Sequence, residues 1–150
     1  MSEEKRYPFL EMVRKMMSGE LPPPPIGETI GMRIVDIDID RAAFEMDAER
    51  RHSNPMGTMH GGVLCDLADG AMGMAWSSAL VEGETFTTLE LKINFLKPVW
   101  NAKLRAEARV IRRGKTVGLV DCQVRDEKGD IVAHATSTLM TLRGEQARGR

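Results

Sequence analysis

The chain has 150 residues, 42% hydrophobic and 29% charged, with a formal net charge of -1. This length and balance fit one soluble domain with a sizeable core, and the near-neutral charge excludes a general nucleic-acid binder. No apolar run approaches the roughly 20 residues of a membrane span, so any polyanionic ligand has to be met by a local basic patch.

Residues 3–18 place Phe9, Leu10, Met12, Val13, Met16 and Met17 at helical spacing, and Gly19 ends this predicted helix. Pro22 to Pro25 read as a stiff extended connector. From Ile30 to Ile39 the pattern is strand-like, but its apolar parity changes between Ile34 and Val35, which predicts a bulge. A short strand over 42–48 follows across a turn at Asp40 and Arg41. The segment 61–80 is small or apolar on nearly every face and reads as a buried helix. Its glycines, Gly61, Gly62, Gly70 and Gly73, cost about 1 kcal/mol each relative to alanine, which close approach of a sheet or helix would offset.

Four alternating strands follow, over 86–96, 102–113, 116–125 and 131–142, with turns at Pro98 to Asn101, at Gly114 and at Asp126 to Asp130. The chain thus divides into an N-terminal helix and connector (1–26), one α+β domain (27–143) and a disordered polar tail (144–150). Cys65 and Cys122 lie in apolar surroundings without metal-ligand spacing and read as reduced core thiols. With no signal sequence recognised, the cytoplasm is the expected compartment.

The chemistry is concentrated between Asn54 and Asp69, in NPMGTMHGGVLCDLAD. His60-Gly61-Gly62 enters the apolar helix with a first turn free of bulk, leaving backbone N–H groups for an incoming oxygen. Asp69, nine residues past His60, is a carboxylate in surroundings where burial is costly unless the group is paired or reactive. Asp66 reads as a local cap or pair, and His52 and His134 as surface or strand residues.

The element order, with Asn54, His60-Gly61-Gly62, Asp69 in LADGAMGMA, and the later LKINFLKP and RRGKTVG segments, resembles the hotdog-fold acyl-CoA thioesterases of the phenylacetate-pathway (PaaI-type) branch. The resemblance covers about residues 49–142. It implies a curved antiparallel sheet wrapped around the long central helix, two protomers with sheets joined edge to edge, and a further dimer of dimers. It also implies an acyl-CoA substrate, with coenzyme A as part of that substrate and neither metal nor cofactor.

Helix geometry adds a constraint. Gly61 and Asp69 are eight residues apart, about 12 Å along one helix, whereas a donor and an attacking group must each come within roughly 3 Å of one carbonyl. The two act together only if they come from different copies of the helix, so the chemistry demands a homodimer provided the helix is continuous. In that reading the Gly61 N–H and the Asn54 amide polarise the thioester carbonyl. Asp69 of the other protomer activates water or attacks directly, and His60 orients the loop or the thioester. Thr88 falls where the family places a serine that holds the catalytic water.

Gly62 is a further contact to substrate. Arg112, Arg113, Lys115 and Thr116 around the Gly114 turn are the basic patch for the phosphates, with Lys97 and Arg143 as lesser candidates. Met56, Met59, Met72, Met74, Trp76 and Leu80 are apolar residues for a medium or aromatic acyl group. Two alternatives stand beside hydrolysis: a non-catalytic acyl-CoA binder or sensor, and a dehydratase or hydratase on the same fold.

Overall fold

The computed structural model describes residues 6–150. It contains helix α1 (Pro8–Met17), helix α2 (Pro25–Ile30), strands β1 (Met32–Asp38) and β2 (Arg41–Ala48), helix α3 (Gly61–Ser77), and strands β3 (Glu84–Phe95), β4 (Ala102–Arg113), β5 (Val117–Asp126) and β6 (Ile131–Arg143). The strands form one antiparallel sheet in the order β1-β2-β4-β5-β6-β3. The long helix α3 packs on its curved inner face, as expected of a hotdog fold. Among the described residues no helix is long and apolar enough to cross a membrane.

The core lies between α3 and the middle strands. Leu67, Ala68, Ala71, Met72, Ala75 and Trp76 from the helix are fully buried, as are Leu104, Ala106, Val120, Cys122, Val124, Ala135 and Leu139 from the sheet. Truncating one of the large side chains, such as Leu67→Ala, would cost about 2–5 kcal/mol. The expected close approach occurs at two helix glycines: a Cβ on Gly61 would stand 2.7 Å from the Phe95 ring, and one on Gly73 would stand 3.3 Å from the Phe86 ring. Both rings belong to β3, so the glycines let α3 settle against this edge strand along its length.

The parity change in β1 is a bulge, with the register shifting between Ile34 and Asp36. Other expectations need correction. The helix foreseen from residue 3 begins at Pro8, with Tyr7 as an extended N-cap and residues 3–5 outside the described part. Ile30 ends α2 rather than opening a strand, because Pro25 starts a helix at its first position and Gly31, at φ 80°, terminates it. At the other end of α3 the helix stops at Ser77 instead of running to Leu80. The Ser77 and Ser78 hydroxyls donate back to the Met74 and Ala75 carbonyls there and compete with the helical ladder. Gly144–Ala147 forms a 3-10 turn against β3 and β6 in place of a disordered tail. Cys122 is buried, and burial pushes its thiol pKa up to about 12. Cys65 is only half-buried and is not a core residue.

Candidate active site

The loop before α3 is built by its own side chains. Ser53 and Met59 form an isolated antiparallel bridge, and between them Asn54 N–H donates to the Thr58 carbonyl at 2.8 Å. The Asn54 side chain closes this turn from both ends: Oδ1 accepts from Met56 N–H at 2.9 Å and Nδ2 donates to Thr58 Oγ1 at 2.9 Å. An amide nitrogen carries two protons, so one donor remains. Asn54 and Gly61 line the same cleft, about 380 Å³, together with Phe95 and Lys97.

His60 is the N-cap of α3, and its Nδ1 accepts from Gly62 N–H at 2.9 Å. An accepting Nδ1 leaves the ring proton on Nε2 in the neutral imidazole. The same bond satisfies the Gly62 donor, which corrects the expectation that Gly62 contacts substrate through its backbone. Gly61 N–H is left without an acceptor among the described residues, at the positive end of a 17-residue helix. His60 is exposed and orients the first turn.

Asp69 is half-buried in the middle of α3, where Thr88 Oγ1 donates to its Oδ1 at 3.1 Å. Among the described residues no cation pairs with it. Thr88 faces the helix because Leu89 is an extra residue in β3, with the register shifting between Thr88 and Glu90. Without that bulge the apolar set Leu91, Ile93 and Phe95 and the Thr88 hydroxyl would lie on opposite faces. Asp66, one turn before Asp69, makes no ion pair among the described residues. Desolvation and then the Asp69 charge raise its pKa, and the Cys65 thiol is likewise raised by burial and by both carboxylates.

The basic turn is split by the fold. Arg112 and Lys115 are exposed, and the Thr116 carbonyl accepts from Thr141 N–H. Arg113 turns inward instead: its guanidinium donates to Asp40 Oδ1 and to the Trp76 carbonyl and lies 3.8 Å over the Trp76 ring. A cation on the last turn of a helix and on an aromatic face is a structural anchor, so Arg113 leaves the proposed phosphate patch. Trp76 and Leu80 are core residues.

His52 was missed as a site-building residue. It is buried, its Nδ1 accepts from Glu49 N–H at 3.0 Å, and its Nε2 lies 2.8 Å from the Ile30 carbonyl. Its own carbonyl accepts from His60 N–H at 2.8 Å. The only sequence signal was a histidine three residues after Glu49, a spacing that suits a cap. His134 fits its strand role, 3.6 Å from Asp121 on the sheet.

A free helix-terminal N–H, a spare amide donor and an unpaired carboxylate are the parts of an acyl-transfer site, and the family model for the thioesterase superfamily matches residues 56–133. The chain belongs to the thioesterase superfamily. It is a thioester hydrolase. It is 26% identical over 112 residues to the 1,4-dihydroxy-2-naphthoyl-CoA hydrolase of Listeria monocytogenes, covering 75% of this chain and 91% of that one. Among solved structures it resembles a phenylacetic acid degradation-related protein of Ralstonia eutropha, with TM-score 0.78, 32% identity, and coverage of 85% and 98%. A thioesterase of Haemophilus influenzae matches with TM-score 0.74, 28% identity, and coverage of 79% and 82%.

Proposed function

We propose that this thioesterase hydrolyses acyl-CoA at two equivalent sites, each shared between two copies of the chain. The observation that carries the reading is the separation of the free Gly61 N–H from the unpaired Asp69 carboxylate. Both lie on one continuous helix, Gly61–Ser77, so about 12 Å of rise separates them. A partner helix alongside brings its own N-terminus next to Asp69. The sheet supports this pairing, since β3 is an edge strand of 12 residues with Leu89 and Phe95 exposed. Such an edge is protected by pairing with another strand.

At each site the thioester oxygen accepts from Gly61 N–H and the spare Asn54 donor, which stabilise charge as the tetrahedral intermediate forms. Asp69 of the other copy either takes a proton from the attacking water and returns it to the departing sulfur, or attacks the carbonyl itself to give a mixed anhydride that water then opens. In both routes the C–S bond breaks and the CoA thiolate takes up a proton to leave as the thiol. Thr88 fixes the carboxylate and keeps an acceptor lone pair for water. The chemistry needs no group beyond these and coenzyme A, which enters as part of the substrate. Arg112 and Lys115 are the cations for its phosphates. Two free thiols suit a reducing, cytoplasmic setting.

Thiol release from a panel of acyl-CoAs is the test. Wild type is expected to release thiol, and Asp69→Ala to lower kcat by about two to four orders of magnitude. No release from any member, or an Asp69→Ala variant as active as wild type, sinks the reading. Mixing inactive Asp69→Ala and Asn54→Ala chains tests the sharing: random reassortment gives a heterodimer with one intact site, restoring about a quarter of wild-type activity. No recovery on mixing overturns the shared site.

A further inference from the structure

A second cavity adjoins Gly70, the residue after Asp69. Its volume is about 450 Å³, and its lining is apolar apart from Arg33, which pairs outward with Glu45 and Asp47. Val13, Met16 and Met17 of α1 and Ile26 of α2 form its roof, Met32 and Phe44 its sheet wall, and Gly70 and Met74 of α3 its floor.

Successive residues of a helix are about 100° apart, so Asp69 and Gly70 occupy opposite shoulders of the outer face of α3. Asp69 turns to Thr88 on β3, while a Cβ on Gly70 would look toward Phe44 and Met32 at 3.5 and 3.6 Å. Gly73 lies between these directions one turn further on. The Phe86 ring covers Gly73, so it is Gly70, the residue next to the carboxylate, that leaves the helix open toward the cavity.

The roof is held off the floor. Pro22 to Pro24 stay outside helix, and α2 is fixed at its C-terminal end, where Arg51 donates to the Thr29 carbonyl and His52 Nε2 to the Ile30 carbonyl. Both anchors come from the segment that leads through Asn54 to Gly61, so the α2 part of the roof is tied to the carbonyl-binding loop.

Resting on the thioesterase reading above, we propose that this cavity takes the hydrocarbon tail of a medium-chain aliphatic acyl group whose carbonyl lies at Asp69, and that Gly70 and the α1–α2 roof set the chain length. Size selects the class. An apolar cavity of about 150 Å³ accommodates benzene, and this one is about three times larger, more than a phenylacetyl or short acyl group fills. Methionines at 16, 32 and 74 give flexible walls that follow a bending chain. The acyl chain and the catalytic carboxylate then belong to the same protomer, and the carbonyl donors to its partner.

The test compares kcat/KM for acetyl-, butyryl-, octanoyl-, dodecanoyl- and phenylacetyl-CoA in wild type, Gly70→Leu and Met17→Trp, two substitutions that fill the cavity from opposite sides. Wild type is expected to prefer octanoyl or dodecanoyl. Each variant should lose about tenfold or more on those two, the effect of about two buried methylenes, with acetyl-CoA changed by less than about twofold. Equal losses on short and long chains, or an unchanged profile, overturn the proposal, as does a wild-type preference for phenylacetyl.

Binding of dansyl-undecanoate, followed by fluorescence, separates this inference from the enzymatic one. Saturable binding to wild type that is lost in Gly70→Leu supports the cavity even if no thioester is cleaved. Absence of binding to wild type overturns it even if thioesters are cleaved.

Discussion

Thr88 donates a hydrogen bond to Asp69 across the gap between an edge strand and the central helix, at 3.1 Å, from a position that exists because the strand carries one extra residue at Leu89. The bond fixes one carboxylate oxygen and leaves the other free for the role proposed for Asp69. Thr88→Val keeps the shape and removes the hydroxyl, so kcat should fall by about tenfold or more, with KM changing far less. Thr88→Ser should retain most of the rate. Steady-state kinetics on one acyl-CoA checks both, and a Thr88→Val enzyme with wild-type kcat would show that the hydroxyl has no part in positioning Asp69.

Much of this arrangement was readable in advance, for identifiable reasons. Period-2 alternation located β4 at Ala102–Arg113, and the parity change at Ile34 and Val35 located the β1 bulge. Small residues on every face of α3 correctly signalled a buried helix. The same parity argument applied to FTTLELKINF would have found the Leu89 bulge, since Phe86 and Leu91 fall on different parities. Long-range polar contacts were not readable. The partners of Arg113 are Asp40 and Trp76, 73 and 37 positions away, and no local pattern distinguishes an inward arginine from its solvated neighbours. His52 was hidden for the same reason, because its carbonyl partner Ile30 lies 22 residues earlier.

That distinction separates the arginines experimentally. Arg113→Ala removes an anchor from the C-terminal turn of α3 and from the β1–β2 turn, so thermal unfolding should shift down by several degrees, in line with about 1–3 kcal/mol for lost charged hydrogen bonds. Arg112→Ala and Lys115→Ala should leave the melting temperature near wild type and raise KM for acyl-CoA, increasingly so at low ionic strength. Equal melting shifts for Arg112→Ala and Arg113→Ala would contradict the split.

Lys97 lines the cleft beside Gly61 and is held by Asp126 at 2.6 Å and Asp130 at 2.7 Å. The hydrogen bond that Lys97 donates lowers the Asp126 pKa, and donating to the two carboxylates raises that of Lys97. A carboxylate depressed on folding stabilises above its unfolded value, about 3.9, and loses that contribution as pH falls through its folded value. A lysine raised on folding stabilises fully below its unfolded value, about 10.4, and loses it as pH rises through its folded value. Lys97→Met should therefore melt below wild type across the neutral range, the gap narrowing as pH falls below about 4. A gap independent of pH down to 2.5 (about 1.5 units below the unfolded value) would rule out the ion pair as its source.

His52 ties the two halves of the candidate site together. Its imidazole accepts from Glu49 N–H and donates to the Ile30 carbonyl at the end of α2, while its backbone carbonyl receives His60 N–H, one residue before Gly61. His52→Ala removes a buried side chain and its two part-buried hydrogen bonds, to Glu49 N–H and the Ile30 carbonyl, so unfolding free energy in urea should fall by about 1–2 kcal/mol. Loss of the tie to α2 should also loosen the cavity roof. The variant should therefore bind dansyl-undecanoate more weakly and discriminate less between octanoyl- and acetyl-CoA, with kcat on acetyl-CoA falling less than the octanoyl preference does. Destabilisation with an unchanged chain-length profile would mean that His52 holds the loop alone, and that the α2 roof is positioned without it.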